Sequence, residues 1–85
     1  MKRFELLSTN HKAIVTEYDA ENADLMSYTT KVMFLVGGKL YRKADQPQSN
    51  TTARHMREFA QLYDFPSMTK SELKQLPIVA PTIAR

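Results

Sequence analysis

The sequence predicts an α+β fold: a small antiparallel sheet of three to four strands packed by one main helix, followed by a short C-terminal helix and an extended tail. Three observations carry that prediction. The apolar run Val32 to Val36 stops at Gly37-Gly38 and resumes as Lys39-Leu40-Tyr41-Arg42-Lys43-Ala44, a hairpin pattern. Ala53, Met56, Phe59, Ala60 and Tyr63 recur at helical intervals and make one apolar stripe. Thr69-Lys70-Ser71-Glu72 matches a capping box, which sets a helix start.

Taken in chain order, Arg3 to Leu7 has the composition of a first strand, and after Ser8-Thr9-Asn10 the β-branched density of Lys12 to Tyr18 favours a second, with helix as the competing reading. Asp19 to Asp24 lacks apolar periodicity and reads as an acidic loop, with one helical turn through Ala20 and Ala23 as an option. Tyr28, Thr29 and Thr30 lead into Val32 to Val36 as strand formers. That run has no alternation, so its strand should be covered on both faces, or be a central strand with one face on a helix and the other on a partner or the amino-terminal segment. In the return strand, Leu40, Arg42 and Ala44 share one side and Tyr41 and Lys43 the other, a pattern suited to a solvated edge.

Asp45 to Ser49 contains Pro47 and reads as a loop. Asn50 is the expected N-cap of the main helix, with Ser49 as the alternative, because a short side-chain oxygen accepts from the first-turn amides. The side opposite the stripe carries Arg54, His55, Arg57, Glu58 and Gln61, with Arg54 and Glu58 spaced for an ion pair. The helix should end near Asp64, because Pro66 disfavours helical geometry at Phe65. A short helix through Leu73 and Leu76 stops at Pro77, and the apolar tail, residues 77–85, should lie against something. Residues 1–85 read as one domain whose hairpin-helix core spans 27–65.

Composition narrows the function classes. With no cysteine, there is no disulfide, no thiolate zinc ligand and no thiol nucleophile. Two histidines, scattered carboxylates and no glycine-rich phosphate loop leave no catalytic constellation, so a non-enzyme without metal or cofactor is expected. The basic start Met1-Lys2-Arg3 is followed by Glu5, which interrupts an apolar signal segment, and no run is long enough to cross a bilayer. A soluble, cytoplasmic protein is expected.

The net charge of +3 is unevenly spread. Glu17, Asp19, Glu21 and Asp24 crowd one span, whereas Lys39, Arg42, Lys43, Arg54 and Arg57 make the middle basic. Lys39, Tyr41, Arg42, Lys43, Arg54, His55 and Arg57 are therefore the candidate binding surface. Facing one way, the basic residues would contact phosphates and Tyr41 would stack on a base. The alternative is a protein-binding module that uses strand edges, the apolar tail and some of its five methionines.

Ser49-Asn50-Thr51-Thr52-Ala53-Arg54-His55-Met56-Arg57-Glu58-Phe59, following a hairpin, resembles a group of small uncharacterised bacteriophage proteins with a Thr-Thr-x-Arg/Lys-His-x-x-x-Phe helix. The resemblance covers residues 27–65 and includes Tyr28, Gly37-Gly38 and Phe59. Asp45-Gln46-Pro47-Gln48 departs from the group's aromatic-rich approach to the Ser/Thr run. The resemblance implies a phage accessory protein that binds and modulates a host protein or defence complex in the host cytoplasm. Nucleic-acid binding is the runner-up, and a homodimer is a further option. Thr52, Arg54 and His55 read either as a binding triplet or as capping and packing residues; the second is favoured, because the helix start already demands those residue types.

Overall fold

The computed structural model describes residues 1–6, 13–43 and 50–79. Its strands are β1 (Lys2–Glu5), β2 (Ala13–Asp19), β3 (Asn22–Ser27), β4 (Thr30–Val36) and β5 (Lys39–Arg42), and its helices are α1 (Asn50–Leu62) and α2 (Lys70–Lys74). All neighbouring strands are antiparallel and the sheet order follows the chain, β1-β2-β3-β4-β5. The α+β class is as expected. The sheet has one strand more than the upper expectation of four.

The extra strand comes from the acidic span, and the loop expected over Asp19 to Asp24 is corrected accordingly. Only Ala20 and Glu21 turn; Asp19 closes that turn by accepting from the Glu21 N–H at 2.8 Å and from Asn22 Nδ2 at 2.9 Å. Asn22 then starts β3, whose Ala23, Leu25 and Ser27 face the helices. Asp24, on the other face, is buried and accepts from the Tyr18 hydroxyl at 2.9 Å, with Lys31 Nζ at 3.4 Å. A buried carboxylate with charged and hydrogen-bonded partners is tolerable in a strand, so the apparent lack of periodicity was misleading.

The Gly37-Gly38 hairpin forms as expected, with φ values of 58° and 80°. Both positive angles fit a type I′ turn, whose twist matches that of the strands. The turn is tied to its neighbour, because the Gly38 N–H donates to the Glu21 carbonyl at 3.0 Å and the Gly37 N–H to Asn22 Oδ1 at 3.1 Å. Tyr28 and Thr29, expected to begin a strand, instead form the two-residue β3–β4 turn.

Val32, Met33, Phe34 and Leu35 are all buried, so β4 is covered on both faces. Between sheet and helices, Val15, Leu25, Met33, Leu35 and Leu40 pack on Met56, Phe59 and Ala60 of α1 and Leu73 of α2. Phe34 stands outside that cluster, on the other face.

Asn50 is the first helical residue of α1; Ser49 and Ala44 lie outside the described residues. Helix α1 stops slightly earlier than the expected Asp64. Asp64 adopts φ 66°, the Phe65 N–H returns to the Ala60 carbonyl and the Asp64 N–H to that of Gln61, both at 3.1 Å. That is a Schellman closure with aspartate at the left-handed position. The capping box forms as read, with the Glu72 N–H donating to Thr69 Oγ1 at 3.1 Å and the Thr69 N–H to Glu72 Oε1 at 2.9 Å. Leu76 falls beyond α2.

The start of the tail lies along β5. The Arg42 N–H donates to the Pro77 carbonyl and the Val79 N–H to the Arg42 carbonyl, each at 2.9 Å, bridging Ile78 to Arg42 in parallel. The outer edge of β5 is therefore occupied at Arg42, where a solvated edge was expected. Residues 80–85 of the tail lie outside the described residues.

Candidate functional site

The chemistry-bearing side chains meet where the end of β3 reaches the first turns of α1. Helical spacing from Ala53 through Met56 to Phe59 turns position 55 toward the sheet as well, so the buried face of α1 is Thr52, Ala53, His55, Met56, Phe59 and Ala60. His55, expected on the outward side, is only 2% exposed. The correction has a simple cause: an imidazole fits the sheet face when a polar group waits there. Ser27 supplies one, its Oγ 2.8 Å from His55 Nδ1, and it is itself 3% exposed.

Burial lowers the His55 pKa from its ordinary value of 6.5; Glu58 opposes that shift and Arg54 adds to it. The neutral ring is thus the form the fold accommodates. Next to it stands Tyr28, whose ring centroid is 6.0 Å from the imidazole at a 43° tilt. Tyr28 is 51% exposed and adopts φ 58°, a left-handed conformation that is rare for a bulky side chain. Thr52 is buried in the same first turn of α1. Sequence reasoning missed Ser27 and Tyr28. The available signal was the polar break Ser27-Tyr28-Thr29-Thr30 between two apolar stretches, without the glycine or asparagine that marks a tight hairpin.

The other expected surface residues are divided by the sheet. Lys39 and Tyr41 alternate onto the face away from the helices, and Lys43, just past the end of β5, is exposed. Arg42 points to the helix side, where its Nε donates to the Leu76 carbonyl at 2.9 Å. Arg54 and Arg57 lie on α1; Arg54 Nε is 3.6 Å from Glu58 Oε1, the anticipated ion pair, and Arg57 is half-buried. The structure therefore brings His55 to Ser27 and Tyr28, and separates it from Lys39, Tyr41 and Lys43. Near the far end of α1 the Tyr63 hydroxyl donates to Glu17 Oε2 at 2.8 Å, and burial followed by that bond pushes its ionisation upward.

Ser27 and His55 are within the distance of a nucleophile and its base, but both are sunk beneath the surface beside the Tyr28 ring. Among the described residues no group of three or more His, Asp or Glu side chains is placed to hold a metal ion. Nor is any helix among them long and apolar enough to cross a membrane.

A family model matches residues 3–75, which takes in β1 from Arg3, the other four strands, both helices and the cluster just described. The chain belongs to DUF8033, a family of unknown function. The DUF8033 match contains the whole 27–65 stretch that carries the resemblance noted from sequence. No curated protein and no solved structure matches this DUF8033 member significantly.

Proposed function

We propose that this DUF8033 domain is a non-catalytic protein-binding module and that Tyr28 is the anchor it offers its partner. The observation that carries the reading is a half-exposed tyrosine held at positive φ and braced against a buried His55–Ser27 pair. A left-handed backbone at a residue other than glycine costs roughly 1–2 kcal/mol, and such strain concentrates where function requires it. Tyrosine combines a rigid apolar ring with a hydroxyl, the combination found at binding hot spots. In this reading His55 and Ser27 are positioning residues, setting the turn from below.

The partner as a host protein, and a modulating role in the host cytoplasm, rest on the resemblance to small phage proteins. The test is capture from lysate, with and without nuclease, by tagged wild type, Tyr28→Ala and Tyr28→Gly, each verified as folded. Protein retained by wild type and lost by both variants supports the proposal. Retention by Tyr28→Ala overturns it. Material that vanishes on nuclease treatment makes nucleic-acid contact through Lys39, Tyr41 and Lys43 the better reading, and turnover dependent on Ser27 or His55 removes the non-catalytic one.

A further inference from the structure

Both helices pack on one face of the sheet, against Leu25, Met33, Leu35 and Leu40. On the other face the register sets one residue of each strand in a single row, Arg3-Thr16-Asp24-Phe34-Tyr41. The middle of the row is a firm floor, with Asp24 1% and Phe34 2% exposed. Asp24 accepts from the Tyr18 hydroxyl at 2.9 Å and lies 3.4 Å from Lys31 Nζ, so its charge is compensated within the face. Tyr41, opposite Phe34, is half-buried, and exposed Lys39 precedes it on the same face by about 7 Å along β5. Lys43 is exposed two residues later, its N–H donating to the Val32 carbonyl at 3.2 Å. Among the described residues no side-chain hydrogen bond or ion pair engages Lys39, Tyr41 or Lys43. The other carboxylates lie off this line. Glu5 is four strands away, about 19 Å across the sheet, and Asp19 and Glu21 border the β2–β3 turn, beyond the Gly38 end of β5.

We propose that this face binds single-stranded nucleic acid, with a base stacked on Tyr41 and the backbone laid along β5 on Lys39 and Lys43. The sequence cation, aromatic ring, cation complements the alternation of phosphate and base in an extended strand. A duplex fits poorly, because its bases are stacked on one another and offer the ring no free face. An acidic polypeptide would use the two lysines and leave the ring idle. Arg42, Arg54 and Arg57 take no part, since they belong to the helix side of the sheet. The inference does not rest on Tyr28, which leans on His55 of α1. Protein held in nuclease-treated lysate bears on Tyr28 alone and a purified oligonucleotide on this face alone, so either reading can fail without the other.

The test is fluorescence anisotropy of labelled oligothymidylate, oligouridylate and a DNA duplex with the purified full chain over a salt series, folding being verified by circular dichroism. One or both single strands should bind, more tightly than the duplex. Tyr41→Leu should weaken that binding about tenfold or more, and Tyr41→Phe should leave it intact. Lys39→Gln should flatten the dependence of log Kd on log salt by about 0.7. Lys74→Gln removes the same charge from exposed α2, on the helix side, and should change nothing. Tyr28→Ala should bind as wild type does. No binding at low salt, a duplex held as tightly as the single strands, or equal losses in Lys39→Gln and Lys74→Gln would each overturn the proposal. So would a folded Tyr41→Leu that binds normally, or loss of binding in a folded Tyr28→Ala.

Discussion

Ser27 Oγ and His55 Nδ1 lie 2.8 Å apart, 28 residues apart in sequence, and join the end of β3 to the first turns of α1. Because both groups are buried, the bond is a structural constraint that titrates.

The folded-state pKa of His55 is lowered by burial, so its stabilising contribution is present above its unfolded value of 6.5 and is lost as pH falls through the folded value. Urea midpoints recorded from pH 8 to pH 5 should fall on the acid side of 6.5, and the fall should be smaller in His55→Gln. Equal slopes in the two proteins would remove His55 as the cause.

Tyr28 and Gly37 have the same φ of 58° with opposite side-chain requirements. Replacing Tyr28 by Gly relieves the backbone while removing the ring, whereas Ala removes the ring and keeps the strain. Tyr28→Gly should therefore unfold at a higher temperature than Tyr28→Ala, by about 1 kcal/mol of stability.

At Gly37 a Cβ would meet nothing within 4 Å, so substitution there is a purely conformational test. Gly37→Ala should cost roughly 1–2 kcal/mol, read as a lowered urea midpoint at unchanged m-value. A neutral result would mean that the hairpin tolerates another turn.

Arg42 holds the Leu76 carbonyl through its side chain and residues 77 and 79 through its backbone. Arg42→Met keeps the stem and removes the guanidinium. It should speed amide exchange at Val79 while leaving the Gly38 amide, on the Glu21 carbonyl, unchanged. Equal acceleration at both sites would indicate global rather than local loosening.

The elements read correctly from sequence are those in which local chemistry and tertiary need agree. Gly37-Gly38 had to turn, Thr69 and Glu72 cap each other within one helical turn, and Met56 and Phe59 recur at the helical period. The misreadings occur where a distant partner decides. Asp24 looks like a loop residue until Tyr18 and Lys31 are placed beside it, and His55 looks like a surface residue until Ser27 arrives from β3. Tyr28 was hidden for the opposite reason, because its aromatic ring advertises a strand while its backbone makes a turn that composition would assign to glycine or asparagine.

Because the strands follow one another without a crossover, each hairpin can close from neighbours already synthesised, with little chain left waiting for a remote mate. Residues 50–62, which shield Leu25, Met33 and Leu35, leave the ribosome only after the last strand. Until then the nascent sheet is a wet, half-clad ribbon, and the arrival of Met56 and Phe59 is what dries it.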